Sequence, residues 1–464
     1  MLANTNENKA IPYDLKKDNK YLHMKKVSLI VALVCFSFVS AQTKKWSLEE
    51  CVDHAIKHNI AIKQTTLEQN SAEIDKMEAV GGFLPTLNAN ANYSVNTGAS
   101  INPVTNQFQN ETFKSLSAGA SSNTVLFNGL ANWKTLQRAK LTKIAAGYKL
   151  DKMKDDIALS VANSYLQILF NKEQLKVQTN QNQITKENID RTTELIKAGV
   201  LPAGDIFELQ ATEATQSQQI IATENALLLS KLALCQTLFI KEYTTFDISD
   251  EAMDLPVSNV SNETQEAILS KAKEAVKDIK IALTNLDIAK KDVALTRSSY
   301  LPTLTGFIGY NTRWSENSVI KFKDQLSLFD GTGIGLQLNV PILNGFATRA
   351  RVERAKVNEK RQELQLSQAE LDLERNVYQA YNDVINAKKV HEAAQKTYVA
   401  RKQAFDFSKE RYQVGLLNAF DFSQATLALE NAQSEVIRTK YETIFRTKIL
   451  EFYFGIPLMK PLKN

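Results

Sequence analysis

Phe83-Leu84-Pro85-Thr86-Leu87 returns further along the chain as Tyr300-Leu301-Pro302-Thr303-Leu304, at an offset of 301 − 84 = 217. Working outward from this pair, Phe127-Asn128-Gly129 returns as Leu343-Asn344-Gly345, with 345 − 129 = 216. Arg138-Ala139-Lys140 returns as Arg354-Ala355-Lys356, Val161 and Tyr165 as Val377 and Tyr381, and Gly199 and Asp205 as Gly415 and Asp421. So many landmarks at nearly one offset mark an internal duplication. Two copies are too few for a solenoid and point instead to a pseudo-twofold protomer.

Each copy reads as helix, strand, strand, helix. The first helix covers about 46–82, and about 263–299 in the second copy. Pro85 and Pro302 end it, because proline cannot donate to the helical ladder and disfavours helix at the residue before it. Strands follow at about 86–97 and 113–127, and at about 303–314 and 327–341. From Leu87 to Val95 the odd positions are Leu, Ala, Ala, Tyr and Val, and the even ones are Asn and Ser. Alternate side chains of a strand face opposite ways, so one face is apolar and the other polar. In the second copy Leu304, Ile308, Tyr310 and Trp314 share a face opposite Thr303, Thr305, Asn311 and Arg313. Such strands fit a transmembrane barrel with a wet interior, or equally a half-buried sheet in a soluble domain. Four strands cannot close around water, so the barrel reading demands oligomerisation. On that reading Tyr93, Val95, Tyr310 and Trp314 face lipid or its interface, and Asn90, Asn92 and Asn311 the lumen. The strand tips, about 97–112 and 315–326, read as exposed polar loops.

Long helices follow at about 129–198 and 345–414, with no internal proline. Some 65–70 residues at 1.5 Å each make ~100 Å, far beyond an ordinary globular helix. Val161, Ile168 and Leu175, and Val377 and Val384, keep heptad spacing on otherwise polar surfaces, the pattern of a coiled-coil seam. The chain turns at Ala198-Gly199-Val200 and Val414-Gly415-Leu416 and returns over about 205–238 and 421–454. Glycine suits the left-handed conformation of a helix C-terminal cap. Asp205 and Asp421 read as caps of the returning helices. Residues 42–240 thus form one repeat, 241–262 a linker, 263–458 the second repeat and 459–464 a tail.

The N-terminus reads as targeting sequence. Met24-Lys25-Lys26 precedes an apolar run, Val27 to Val39, then Ser40-Ala41. A secretory signal peptide over 24–41 is expected, the alternative being an N-terminal membrane anchor, for which the run is short. Residues 1–23 are polar and read as an extension before the true start. Cys51 and Cys235 then remain, and an exported protein can pair them, though spacing alone leaves two separate thiols open. The formal charge of +5 is spread without a basic block, so no nucleic-acid partner is expected.

The chain resembles the outer-membrane efflux protein family, the TolC-like channels, over about 46–458. The resemblance rests on Trp46-Ser47-Leu48-Glu49-Glu50, the two Leu-Pro-Thr-Leu strand starts, the Asn-Gly starts of the long helices, and Val414-Gly415-Leu416 followed by Asp421. It implies a mainly α fold with β, in which two tandem repeats with four transmembrane strands assemble as a homotrimeric α/β barrel. The barrel would lie in the outer membrane, contacting its lipid, with the helical tube in the periplasm. It implies an exit duct for efflux or type I secretion, served by a periplasmic adaptor and an inner-membrane pump. By resemblance Val414, Gly415 and Leu416, and more weakly Ala198, Gly199 and Val200, form the adaptor-docking tip. Acidic Glu194, Asp406 and Glu410 are candidates to line the narrow end. The family fold would bring Cys51 and Cys235 near the equator, where a disulfide is conceivable. The chain departs from the pattern where a proline is usual in helix one, with Ile60 after Asn59 and Lys280 after Ile279 instead.

No enzyme and no cofactor are expected. Gly331-Thr332-Gly333-Ile334-Gly335 leads into a strand, whereas a phosphate cradle needs a helix N-terminus behind it. His54 and His58 lack a third ligand in sequence for zinc. The competing reading is a periplasmic coiled-coil scaffold without a pore, for which the two-faced strands have no use.

Overall fold

The computed structural model describes residues 45–101, 106–250, 255, 260, 263–316 and 318–456. The expected signal peptide, the segment before it and the 459–464 tail lie outside the described residues, as does part of the linker.

The first repeat opens with β1 (Lys45–Trp46) and α1 (Leu48–His58). Ser47 caps α1 in a capping box, its hydroxyl accepting from the Glu50 N–H while the Glu50 carboxylate accepts from the Ser47 N–H. The chain breaks at Asn59 and resumes as α2 (Ile60–Gly81). The Asn59 carboxamide accepts from the Ala61 N–H at 2.8 Å and donates to the Thr237 carbonyl at 2.9 Å. Strands β2 (Thr86–Ile101) and β3 (Phe108–Asn128) form a hairpin, α3 (Ala131–Lys197) descends, and α4 (Asp205–Leu238) returns. Strand β4 (Asp247–Ile248) pairs in parallel with β1.

The second repeat takes the same course: α5 (Gln265–Ala275), α6 (Lys277–Arg297), a 3-10 turn at Ser298–Tyr300, then β5 (Thr303–Ser315), α7 (Phe322–Leu328) and β6 (Gly331–Asn339). Helices α8 (Ala347–Gln413) and α9 (Ala419–Tyr453) complete it. Helices α3 and α8 are each 67 residues long.

Several expected boundaries are corrected. The helix read as continuous over 46–82 and 263–299 is broken in both copies, at Asn59 and at Val276. The second break falls three residues before Ile279–Lys280, the pair that the resemblance matched to Asn59–Ile60, and 276 − 59 = 217 is the offset of the prolines. The first hairpin runs on to Ile101 and from Phe108, so much of the expected 97–112 loop is paired strand. Hydroxyl pairs hold it, Ser94 with Ser115 at 2.8 Å and Thr97 with Thr112 at 3.0 Å.

The second hairpin differs. Its outer strand is shorter than the expected 327–341, and the expected 315–326 loop contains α7. The Gln325 carboxamide replaces the missing strand partner. It accepts from the Ser315 N–H at 2.9 Å and donates to the carbonyls of Ser315 and Ile320. The long helices start two residues later than expected because Gly129-Leu130 and Gly345-Phe346 all take positive φ, between 59° and 65°. The repeated left-handed pair turns each strand into its long helix. A Cβ on Gly129 would sit 2.7 Å from the Leu301 side chain, so glycine is required there sterically as well.

The core is thin and distributed. One cluster gathers Val161, Tyr165, Ile168, Leu234, Ile248 and Ile444 where α3, α4, α9 and the β1–β4 pair meet. A second gathers Ile268, Ala272, Val276, Val377, Val384 and Leu450 in the other repeat. Of the heptad residues, Val161, Ile168, Val377 and Val384 are fully buried, and Leu175 is half-buried. Towards the tip the seam turns polar, with Asn171, Gln178, Gln181, Asn182, Thr185 and Thr192 buried along α3. An ionic clasp fixes β4 to α3: the Lys172 ammonium lies 2.7 Å from Asp247 and 2.6 Å from Asp250.

Candidate functional sites: the strand wall and the helical tip

Among the described residues the four long strands join one antiparallel sheet in the order β2-β3-β5-β6, leaving β2 and β6 as its edges, unpaired there. Residues directly opposite in a ladder share a face, so register tests the alternation read from sequence. Tyr93 lies opposite Leu116, and Leu116 opposite Trp314. Ala120 lies between Ala89 and Tyr310, and Ile308 between Ser122 and Ile334. The other face carries Asn92, Ser117 and Arg313 in one row and Asn90, Gly119, Asn311 and Gly331 in the next. One face of the sheet is therefore chiefly apolar and the other chiefly Asn, Ser, Thr and Gly.

The exceptions have local reasons. Lys114 lies opposite Val95 on the apolar face and reaches Glu316 at 2.9 Å, where β5 ends and the first hairpin runs on alone. A bulge at Leu126 moves Phe127 into the apolar row with Leu304. Phe307 lies on the polar face over Gly335, where an added Cβ would stand 2.6 Å from the ring. That contact explains a glycine in Gly331-Thr332-Gly333-Ile334-Gly335, which is strand throughout. Trp314 is only half-buried within the protomer, packed edge-on against Phe322 of α7 at 5.6 Å. Arg313 lies over the Phe329 ring at 5.7 Å. Pro85 and Pro302 each stand one residue before a strand, β2 and β5.

At the far end of the long helices the two turns are built alike. The Gly199 N–H donates to the Ile196 carbonyl and the Val200 N–H to the Leu195 carbonyl. In the second copy Gly415 donates to Tyr412 and Leu416 to Arg411. Both glycines have φ +74°, the left-handed residue of a Schellman cap. The turns pack side by side, a Cβ on Gly415 falling 3.9 Å from Leu201.

Beneath them lies a core that the sequence reading does not single out: Leu201, Leu209, Phe405, Tyr412, Phe422 and Leu429. The Tyr412 and Phe422 rings stack at 4.6 Å, and the Tyr412 hydroxyl pairs with Thr192 of the other long helix at 2.8 Å. The seven-residue step from Phe405 to Tyr412 is the sequence signal that marks it. Val414 and Leu416, 67% and 69% exposed, stand outside this core. Val200, Phe207 and Phe420 are also exposed.

The capping roles are corrected. Gly204, not Asp205, occupies the N-cap of α4, and no side chain caps it; Asp205 is the first helical residue. Asn418 caps α9, accepting from the Asp421 N–H at 2.8 Å and donating to the Asp421 carboxylate at 3.0 Å. Both carboxylates remain in the first turn, where they suit the helix dipole. Glu194 pairs with Lys197 at 2.8 Å, and Asp406 and Glu410 are exposed.

Of the two alternatives left open for the cysteines, the structure has the separate thiols. Cys51 and Cys235 lie in one buried cluster but as thiols, not as a disulfide. Burial pushes the Cys235 thiol up to about 11. His54 and His58 stack at 4.3 Å, with Trp46 edge-on to His54. Among the described residues no group of three or more His, Cys, Asp or Glu is placed to hold a metal ion.

A two-faced strand sheet with open edges, mounted on two equal helices about 100 Å long, defines a subunit of an envelope channel with an extended tube. The chain belongs to the outer membrane efflux protein family, whose model matches residues 51–238 and 268–449. Outer membrane protein TolC of Vibrio cholerae is 22% identical, over 91% of this chain and 93% of its own length. Protein CyaE of Bordetella pertussis is 24% identical, over 80% and 76%. The crystal structure of the outer membrane protein VceC from Vibrio cholerae superposes with a TM-score of 0.75 at 14% identity, covering 88% of this chain and 96% of that one. The protein is an outer-membrane exit duct for efflux or type I secretion, with its helical tube in the periplasm.

Proposed function

We propose that three copies of this chain stand side by side and close their sheets into one barrel in the outer membrane, three times four strands around a wet lumen. The observation that supports this most is the open sheet itself, with two unpaired edges and two faces of opposite polarity. An exposed edge this long invites another strand, and closure removes it. In the closed barrel Tyr93, Val95, Tyr310 and Trp314 meet lipid or its interface, and Asn90, Asn92 and Asn311 line the lumen. Lys114 carries its ammonium to Glu316 where the four-stranded part of the sheet ends, as a long basic side chain does at a membrane boundary.

The duct is passive, with no catalytic step and no cofactor, so energy has to come from an inner-membrane pump. The tip is the part of the chain farthest from the strands and is where a periplasmic adaptor docks. Val414, Gly415 and Leu416 provide the main contact, and Ala198, Gly199 and Val200 a second one beside it. The exposed apolar side chains of both turns support this, since the caps use only the backbone of Val414 and Leu416 and the core beneath contains neither side chain. Outer-membrane fractionation with a heat-modifiable trimer on gels, followed by single-channel conductance of the purified protein, tests the proposal. A soluble periplasmic monomer without conductance overturns it.

A further inference from the structure

The register of the ladders inside one protomer fixes how two protomers join. Thr86 pairs with Asn123, and Thr303 with Asn339. Moving β2 forward by 217 residues and β3 by 216 carries the first ladder onto the second, here from 86 to 303 and from 123 to 339. The same two shifts carry Asn90–Gly119 onto Phe307–Gly335. The two hairpins are therefore equivalent in pairing, although their tips differ.

The β3–β5 ladder is the junction between these equivalent hairpins. In a closed barrel of such hairpins the junction from β6 to the β2 of the next protomer has the same place. Ser117 pairs with Arg313 in the internal junction. Shifting Ser117 forward by 216 gives Gly333, and shifting Arg313 back by 217 gives Asn96. We infer that β6 pairs antiparallel with β2 of the neighbouring protomer in the register Gly333 to Asn96, running from Gly331 opposite Gly98 to Asn339 opposite Asn90. This rests on the trimer reading above.

Three observations that did not enter the shift agree with it. The register sets Gly335 opposite Ser94 and Gln337 opposite Asn92, polar face to polar face. It sets Ile334 opposite Val95, Leu336 opposite Tyr93 and Leu338 opposite Ala91 on the apolar face. A slip of one residue would place Gln337 against Tyr93 or Ala91 and mix the faces along the whole edge. The ladder also ends where β6 does, although β2 itself runs on at both ends, from Thr86 to Ile101. Strand β6 begins at Gly331, and its proposed partner Gly98 has φ +114°. At the inner end Pro341, which has no N–H to give, stands two residues after Asn339.

Face polarity excludes odd slips but permits slips of two, so the test must separate these. Three double variants share one cysteine: Gln337→Cys with Asn92→Cys in register, and Gln337→Cys with Asn90→Cys or Ser94→Cys shifted by two. A second in-register pair, Leu338→Cys with Ala91→Cys, covers the alternation of wide and narrow pairs along an antiparallel ladder. Within one protomer β2 and β6 are three strand spacings apart, about 14 Å, so only neighbours can bond.

Each variant is made in the full-length chain, taken in outer membranes, oxidised mildly and run on non-reducing denaturing gels. The in-register pairs should give covalent dimer and trimer bands that collapse on reduction, at least about tenfold more abundant than from the shifted pairs. A parallel gel of the same membranes with an amine cross-linker reports whether the protein is trimeric at all. Trimers whose disulfides form in a shifted pair, or in neither in-register pair, overturn the register. Absence of trimers by both methods overturns the assembly reading on which it rests.

Discussion

Ile308 offers the sharpest test of the two-faced wall. It is the sixth of the thirteen residues of β5 and lies between Ser122 and Ile334 on the apolar face. An arginine near the middle of a lipid-facing barrel strand costs about 2–4 kcal/mol, and near the interfaces about 0–1. With three copies per barrel, Ile308→Arg should cost about 6–12 kcal/mol in assembly. For one protomer alone that is roughly 30- to 700-fold in the folded population. Asn311→Arg is the control on the opposite face. Its neighbours in the row, Gly119 and Gly331, carry no side chains, so a guanidinium has room towards the lumen. A cost within about 0.5 kcal/mol is expected there. Val95→Arg should be milder than Ile308→Arg, because Val95 lies where the four-stranded part of the sheet ends, near Ser115 and Ser315, yet still worse than Asn92→Arg. The assay is the fraction of heat-modifiable trimer in outer membranes, with its midpoint in urea. Equal damage from Ile308→Arg and Asn311→Arg, or normal assembly of Ile308→Arg, refutes the assignment of faces.

Gly415→Asp should abolish transport while leaving trimer and membrane insertion intact, since the φ of +74° costs a side chain roughly 1–2 kcal/mol at one exposed turn. Normal export by this variant would reduce the tip to a turn. Cys51 and Cys235 should carry free-thiol mass after non-reducing digestion, and Cys235 should resist alkylation at pH 8 until the protein is unfolded, because its thiol is buried and little ionised there. Glu430 is buried on α9 beside Gln216, and burial raises its carboxyl pKa above the ordinary value of 4.5. The folded chain then holds this proton more tightly than the unfolded one, so this contribution to stability falls as pH rises from about 4.5 through the raised value. Glu430→Gln removes the ionisation and brings a donor to the Gln216 carbonyl oxygen, which has no hydrogen-bond partner among the described residues. It should be more stable than the parent at pH 8 by about 1 kcal/mol, with the gap narrowing towards pH 4, as read by thermal melts.

The parts legible from sequence are those whose environment has only two values. Strand faces alternate between apolar and polar because each side chain from Leu87 to Val95 points one way or the other. The long helices are legible because no proline interrupts either of them, and Gly147 of α3 is the one glycine within them. The features that escape reading depend on partners distant in sequence. The first helix break has a local cause, Asn59 capping the helix that starts at Ile60, but its counterpart Val276 has no side-chain cap and is buried among Ile268, Ala272 and Val377. No residue at that position announces a break. Helix α7 is seven residues long and depends on Gln325 bonding to Ser315, a contact with the preceding strand. At the tip the signal is visible in the sequence, but it belongs one turn earlier than the aspartate. Asn418, three residues before Asp421, is the cap, and the aspartate is the residue whose N–H it satisfies.

The equal length of α3 and α8, 67 residues each, makes the chain a ruler marked twice. Both marks must agree, because the two turns sit against each other through Leu201 and share one aromatic core. Adding a single helical turn to one long helix alone would displace its end by about 5.4 Å, a full pitch, and pull Thr192 away from Tyr412. Any change in the span that this protein bridges therefore has to be written into both halves of the gene at once. The returning helices, 34 and 35 residues long, must lengthen with them. The duplication that built the protomer also ties its halves to a common gauge.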